Sequence, residues 1–413
     1  MSPEWICSQI GAREHYAVAR ALHQSGKLAA LHTDFWAGPA TRKILAALHA
    51  PGSLATRFHP DLSDARVCSH NLRSIAWEIR LRQKAKAAQP YLGFCDVGRR
   101  FALAVLRELQ GQALSPRTIF FGYDTGALET LDYLRKRGVP CVVDQMDPNR
   151  VEVDLVRAEE KRWPGWALRE TNVPEDYFRR REQEWALADS IVVNSEFSRQ
   201  ALIRQGVPAG KLTVIPLCYE TEDGEPKAGP REAGTTFSHQ RPLKILFLGQ
   251  VILRKGVQYL IEAAKLLSGE PVRFDIVGPI GIREEALRSV PANLTFHGRA
   301  VRDQAAGWYR QADLFVLPTL SDGFALTQIE AMAHGLPVIA TPNCGDVVTP
   351  GVDGQIVPAG DAKALADAIM GYVKQSGLLA DQREAALRKA GQFTLPHLAK
   401  NLAALETRLL SRS

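Results

Sequence analysis

Short apolar runs bounded by Gly, Pro or Asp alternate with stretches of helical periodicity along the whole chain, the pattern of parallel sheets built from strand-helix-strand units. In the first half, residues 5–10, 28–33, 118–121, 139–143, 191–194 and 212–216 read as strands. In the second half, 244–248, 273–277, 294–296, 314–317, 337–340 and 355–357 do. Each half therefore reads as a doubly wound α/β sheet. Residues 219–241 are rich in Glu, Gly, Pro and Ser and nearly free of apolar residues, as an exposed hinge would be. This divides the chain into a first domain (1–220), a linker (221–241), a second domain (242–385) and a C-terminal helix (386–413). Leu398, Leu402, Leu405 and Leu409 form one stripe on that helix.

The segment 314–341 carries the most chemistry. A buried strand ends at Pro318, and a helix follows, with Thr327 as its expected N-cap and Gly335 at its end. Amide hydrogens of Phe324, Ala325, Leu326 and Thr327 would point out of that helix start, where the dipole favours a phosphate. Glu330, one turn in, can accept two hydroxyl protons at once, as a ribose diol requires. Asp322, on the loop beside Gly323, would face whatever the phosphates carry. The bland alternative for Glu330 is a charge stabilising its own helix by about 0.3–1 kcal/mol.

At 413 residues and 46% hydrophobic content, the chain can fill two cores. No apolar run approaches the roughly 18–20 residues of a membrane-spanning helix, and residues 1–10 lack the features of a signal peptide, so a cytoplasmic protein is expected. The six cysteines are scattered singly, with no Cys-x-x-Cys pair and no histidine at metal spacing, and read as reduced core residues. Most of the net charge of +6 lies in residues 1–220. Arg73, Arg80, Arg82, Lys84 and Lys86 alternate with Leu72, Ile75, Trp77, Ile79 and Leu81. This is an ordinary solvated helix face or, alternatively, a docking surface for an anionic bilayer. No module for nucleic acid is recognisable.

Residues 247–264, containing Gly249, Gln250, Arg254, Lys255 and Gly256, together with 322–341 and 349–361, closely resemble family 4 retaining glycosyltransferases. In the first half, 189–199, 206–208 and 214–216 resemble the end of that family's first domain. The resemblance implies the GT-B fold, two Rossmann-like domains facing a central cleft, and a last helix that returns to the first domain. It also implies Asp322 and Glu330 as the family's spaced carboxylate pair, with Asp standing where relatives have Glu. Many relatives have Gly-Arg where this chain has Gly249-Gln250, so the cationic duty falls on Arg254 beside Lys255.

The chemistry accounts for those residue types independently. Transfer from a nucleoside diphosphate sugar builds negative charge on the departing diphosphate, and Arg254 offers it a fork and Lys255 a point charge. Gly11 after the first strand, Gly249, Gly278 and Arg299 sit at expected strand ends bordering the same cleft. A solvated pair is the plainer alternative for Arg254 and Lys255. His15, Asp124 and Asp147 are candidates for the acceptor side, with Asp144 and Glu152. The segment Lys161 to Trp166 would either line the acceptor path or simply pack. Without Asp-x-Asp, no metal and no cofactor are expected, the partners being a nucleotide sugar and a hydroxyl acceptor. The rival readings are a sugar-nucleotide epimerase, a non-catalytic sugar-nucleotide-binding subunit and a nicotinamide-dependent oxidoreductase. The last is disfavoured because no Gly-x-Gly-x-x-Gly follows the first strand of either half.

Overall fold

The computed structural model describes residues 2–39, 41, 42, 54, 56–86, 89–220, 236–288, 290–300, 302–375 and 377–411. Of the expected linker, 221–235 lies outside them.

The first sheet contains β1 (Glu4–Gln9), β2 (Leu28–Thr33), β3 (Val67–Ser69), β4 (Thr118–Tyr123), β5 (Cys141–Gln145), β6 (Ser190–Val193) and β7 (Leu212–Val214), in the order β3-β2-β1-β4-β5-β6-β7. The second contains β8 (Leu243–Leu248), β9 (Val272–Val277), β10 (Leu294–Gly298), β11 (Leu314–Leu317), β12 (Val338–Ala340) and β13 (Gly354–Ile356), in the order β10-β9-β8-β11-β12-β13. Every pairing in both sheets is parallel. β3 is the strand the periodicity does not reveal. It has three residues at an edge, two of them polar or weakly apolar, too few to show a period of two.

Alternation along β1 shows how the first domain fills both faces of its sheet. Trp5 and Cys7 join a core with Tyr16, Leu22 and Leu31, while Ile6 joins Phe101, Val105 and Leu109 of helix Pro90–Gln110 on the other side. Leu398, Leu402, Leu405 and Leu409 of helix Leu395–Leu410 pack into the Trp5 core, although the whole second domain precedes them in sequence. Glu406 fixes that helix by accepting hydrogen bonds from Trp5 Nε1 at 2.8 Å and Lys27 Nζ at 2.6 Å. The second domain has a continuous core of its own around Phe247, Phe274 and Phe315. The two chain passages between domains also meet, the Tyr219 amide donating to the Phe393 carbonyl at 2.8 Å.

In each sheet the strand order reverses beside the first strand, between β1 and β4 and between β8 and β11. Ligands of open parallel sheets bind outside the carboxyl ends at such switch points. Gly11 and Asp124 follow β1 and β4, and Gly249 and Pro318 follow β8 and β11.

Candidate functional site

β8 runs out into a 3-10 turn, Leu253–Lys255, which the loop after β11 holds in place. The Arg254 carbonyl accepts from Leu320 N at 2.9 Å and Thr319 Oγ1 at 3.0 Å. Gly256 ends the turn at φ +74°, where a Cβ would lie 1.8 Å from the Pro318 carbonyl oxygen, so only glycine lets the two loops touch. This contact brings three expected site residues together. Lys255 Nζ forms an ion pair with the Asp322 carboxylate. Arg254 Nη1 donates to the Ser321 carbonyl at 2.9 Å and lies 3.8 Å from Asp322 Oδ1.

Arg254 also reaches across to the first domain. Its Nη1 is 3.4 Å from Glu152 Oε2, and Ser321 Oγ donates to the same oxygen at 2.9 Å. Burial pushes the Glu152 carboxyl up to about 7 against the pull of Arg254. Burial alone would lower the Arg254 guanidinium, but the Glu152 and Asp322 carboxylates outweigh it and hold the group above its usual value. A cavity of about 520 Å³ opens beside this contact, between Tyr91, Glu152 and Thr171 of the first domain and Ile252, Arg254 and Gly281 of the second. Lys255, Asp322 and Glu330 are not among its lining residues.

The helix after the loop begins differently from the sequence reading. It spans Leu326–Ala333 with Ala325 at the N-cap and no side-chain cap, so Thr327 lies inside the first turn. The Ala325 amide is already committed to the Cys344 carbonyl at 3.1 Å, which leaves Leu326 and Thr327 to present the helix-start amides. The reason is tertiary: the loop after β12 crosses this point, and the Asp322 amide also donates to it, at the Asn343 carbonyl (2.9 Å). Phe324 is buried against Phe393, ring centroids 5.8 Å apart. Gly323 faces the first domain; a Cβ there would meet the Met146 carbonyl at 2.4 Å and Asn194 Nδ2 at 2.8 Å. Among the described residues Glu330 forms no ion pair or hydrogen bond with Arg254, Lys255 or Asp322. Its Oε2 accepts from the Tyr309 hydroxyl at 2.7 Å, which leaves one carboxylate oxygen for another donor.

Gly249 and Gly278 pack backbone to backbone and extend the sheet, their amides donating to Val277 and Gly298. Arg299 is exposed. In the first domain the Gly11 amide donates to Asp34 Oδ1 at 2.7 Å. His15 is exposed, in a run with Glu14 and Tyr16 at positive φ. Asp124 and Asp147 both form ion pairs with Arg181, a residue sequence reasoning missed. Arg181 is buried, donates a further hydrogen bond to Asn149 Oδ1 at 2.9 Å and stacks on Tyr177. It lies in the run Arg179-Arg180-Arg181, whose sequence suggests only a solvated basic face. Beside this cluster burial and the neighbouring Glu14 and Asp124 carboxylates hold the Asp144 carboxyl far above its usual range, and burial takes Glu14 up to about 7. Trp163 packs on Trp166 and on Tyr259 of the second domain, at 4.9 and 5.9 Å between ring centroids.

Residues 242–375 match the family described as glycosyl transferases group 1. A D-inositol 3-phosphate glycosyltransferase of Xylanimonas cellulosilytica is 30% identical over 246 residues, 54% of this chain and 57% of that protein. The amylovoran biosynthesis glycosyltransferase AmsK of Erwinia amylovora is 31% identical over 188 residues, 42% and 44% of the two chains. The chain thus spans about half the length of the curated relatives it matches. Among solved structures, sucrose-phosphate synthase from Thermosynechococcus elongatus superimposes with a TM-score of 0.62 at 17% identity, covering 100% of both chains. HepE of Anabaena, in complex with UDP and glucose, gives 0.58 at 16% identity over 98% of this chain and 100% of that one. With its two parallel Rossmann-like sheets, the molecule has the GT-B fold.

Proposed function

We propose that this chain is a retaining glycosyltransferase that moves a sugar from a nucleoside diphosphate sugar to a hydroxyl acceptor without a metal ion. The observation that carries the reading is the convergence of Arg254, Lys255 and Asp322 at the switch point of the second sheet, one turn before a helix N-terminus. The glycosyltransferase names of the curated relatives and the UDP-bound neighbour support transfer over epimerisation or binding alone.

In this mechanism the bond between the anomeric carbon and the diphosphate oxygen breaks while the acceptor oxygen bonds to that carbon on the same face. The acceptor's proton passes to the departing phosphate oxygen. Arg254 and Lys255 stabilise the charge that grows there, which is where preorganised cations lower a barrier. Asp322 holds Lys255 until the donor arrives and then turns to a sugar hydroxyl. Leu326 and Thr327 amides serve the phosphates, and Glu330, oriented by Tyr309, serves the ribose diol. Helix Asn71–Lys86 exposes Leu72, Ile75 and Ile79 at 87%, 56% and 52%, beside Arg73, Arg80 and Arg82. Such a stripe supports peripheral docking on an anionic bilayer. Among the described residues no helix is long and apolar enough to cross a membrane.

The test is release of nucleoside diphosphate from UDP-, GDP- and ADP-sugars, with and without hydroxyl acceptors. Acceptor-dependent release with one nucleotide supports transfer; a donor epimerised without any acceptor overturns it. Initial rates should not respond to added Mg²⁺ or Mn²⁺, and a dependence on either ion overturns the metal-free clamp.

A further inference from the structure

A second group of chemically capable side chains meets on the far side of the first sheet, sharing no residue with the site above. β2 and β3 pair with His32 directly opposite Cys68, and residues in register project to the same face. Leu31, the residue before His32, packs on the face covered by helix Leu395–Leu410. His32 and Cys68 therefore project to the opposite face, where helix Pro90–Gln110 lies. Glu108, in the last turn of that helix, completes the group. One ligand atom from each of His32, Cys68 and Glu108 lies within 4.8 Å of the other two. His70 closes the far side, its Nδ1 3.6 Å from Glu108 Oε1, while His32 Nδ1 is 3.1 Å from Glu108 Oε2.

The hydrogen bonding of this group is incomplete. His32 is 0% exposed and its Nδ1 faces Glu108, yet its Nε2 has no hydrogen-bond partner among the described residues, and the buried His70 Nε2 has none either. Unmet nitrogens of this kind are costly inside a protein and call for an explanation. Imidazole, thiol and carboxylate converging on one point supply it.

We propose that His32, Cys68 and Glu108 bind a divalent transition-metal ion of the zinc class, with His70 orienting the Glu108 carboxylate from outside. An N, S and O donor set suits zinc, whereas hard cations such as Mg²⁺ take oxygen alone. Ligand atoms around a tetrahedral zinc ion sit roughly 3.3–3.8 Å apart, so side-chain rotation suffices to close the observed group. Binding releases the Cys68 thiol proton to solvent and places the thiolate on the ion, with no change of oxidation state. Cys68 and Glu108 are half-buried, which gives the ion a way in. The bound ion ties the three-residue edge strand β3 to β2 and to helix Pro90–Gln110.

The full chain, stripped by a chelator, is titrated with Co²⁺ and then Zn²⁺. One equivalent of Co²⁺ should bind with a thiolate-to-metal charge-transfer band, Zn²⁺ should displace it, and Zn²⁺ should raise the melting temperature. Cys68→Ser should abolish the band, Cys95→Ser should keep it, and His70→Ala should weaken binding roughly 10- to 100-fold with the band intact. A wild-type chain that shows no such band, or a band that survives Cys68→Ser, overturns the site. Should Cys68→Ser fail to fold, Glu108→Gln decides in its place: unchanged Co²⁺ affinity overturns the proposal and weakened affinity supports it.

Discussion

The second domain keeps two cations at the mouth of its sheet, whereas the first domain buries a cation beneath its own. Arg254 and Lys255 sit on a turn after β8, half-buried, and share Asp322 as an ion-pair partner. Arg181 instead lies under the carboxyl ends of β4 and β5, enclosed by Asp124, Asp147, Asn149 and Tyr177. A loosely held charge can meet a substrate; one fully enclosed by fixed partners sets the shape of the strand ends around it. The two acidic residues that the sequence suggested for the acceptor side therefore belong, first of all, to an internal network.

That contrast can be broken most directly at Arg181. Arg181→Met leaves the buried Asp124 carboxylate unpaired beside the half-buried Asp147 and should lower stability by about 3–5 kcal/mol, read by denaturant unfolding. A loss near zero would move Asp124 and Asp147 back among free acceptor groups. At the other mouth, Lys255→Ala should cut turnover by about 10²–10³-fold while the melting temperature stays close to wild type. Near-normal turnover would remove the clamp from the mechanism. Between these effects lies the last helix, where Leu402→Ala should cost about 2–5 kcal/mol, detectable as loss of first-domain stability although residue 402 follows the second domain in sequence.

The Glu152 contact with Arg254 joins the two regions and titrates. Its folded value of about 7 exceeds the ordinary 4.5. A raised carboxyl contributes stability that is fully present below 4.5 and is lost as pH rises through 7. Glu152→Gln should therefore gain melting temperature over wild type between those pH values and hold a constant gain above them. A gap independent of pH would show that the carboxyl titrates at its ordinary value in the folded chain. The smallest effect is expected on the exposed stripe: Leu72, Ile75 and Ile79 changed together to Ser should leave folding nearly unaffected and reduce sedimentation with phosphatidylserine vesicles. Unchanged sedimentation would leave that helix a plain solvated face.

Legibility follows the same division. In the second domain β11 and β12 were readable because each is a continuous apolar run buried on both faces, and the expected site residues lie in segments a few residues long. β3 was not, since three residues carry no period, and Thr327 lost the N-cap position to a loop arriving from β12. The Cys68 partners were equally hidden. His32 lies 36 positions away and Glu108 another 40, so no spacing rule could join them before the strand register did.

The order of apolar runs, turns and charged loops, fixed in the chain itself, determined two parallel α/β domains and placed cations before one helix, and one carboxylate before and one within another. Local periodicity and loop chemistry act over a few residues, and for such features sequence is sufficient. Which groups meet was decided by packing: Arg254 with Glu152, Asp124 and Asp147 with Arg181, the last helix with the first domain. Those contacts join residues dozens to hundreds of positions apart, and only the closing of the two sheets against their helices sets the distances between them.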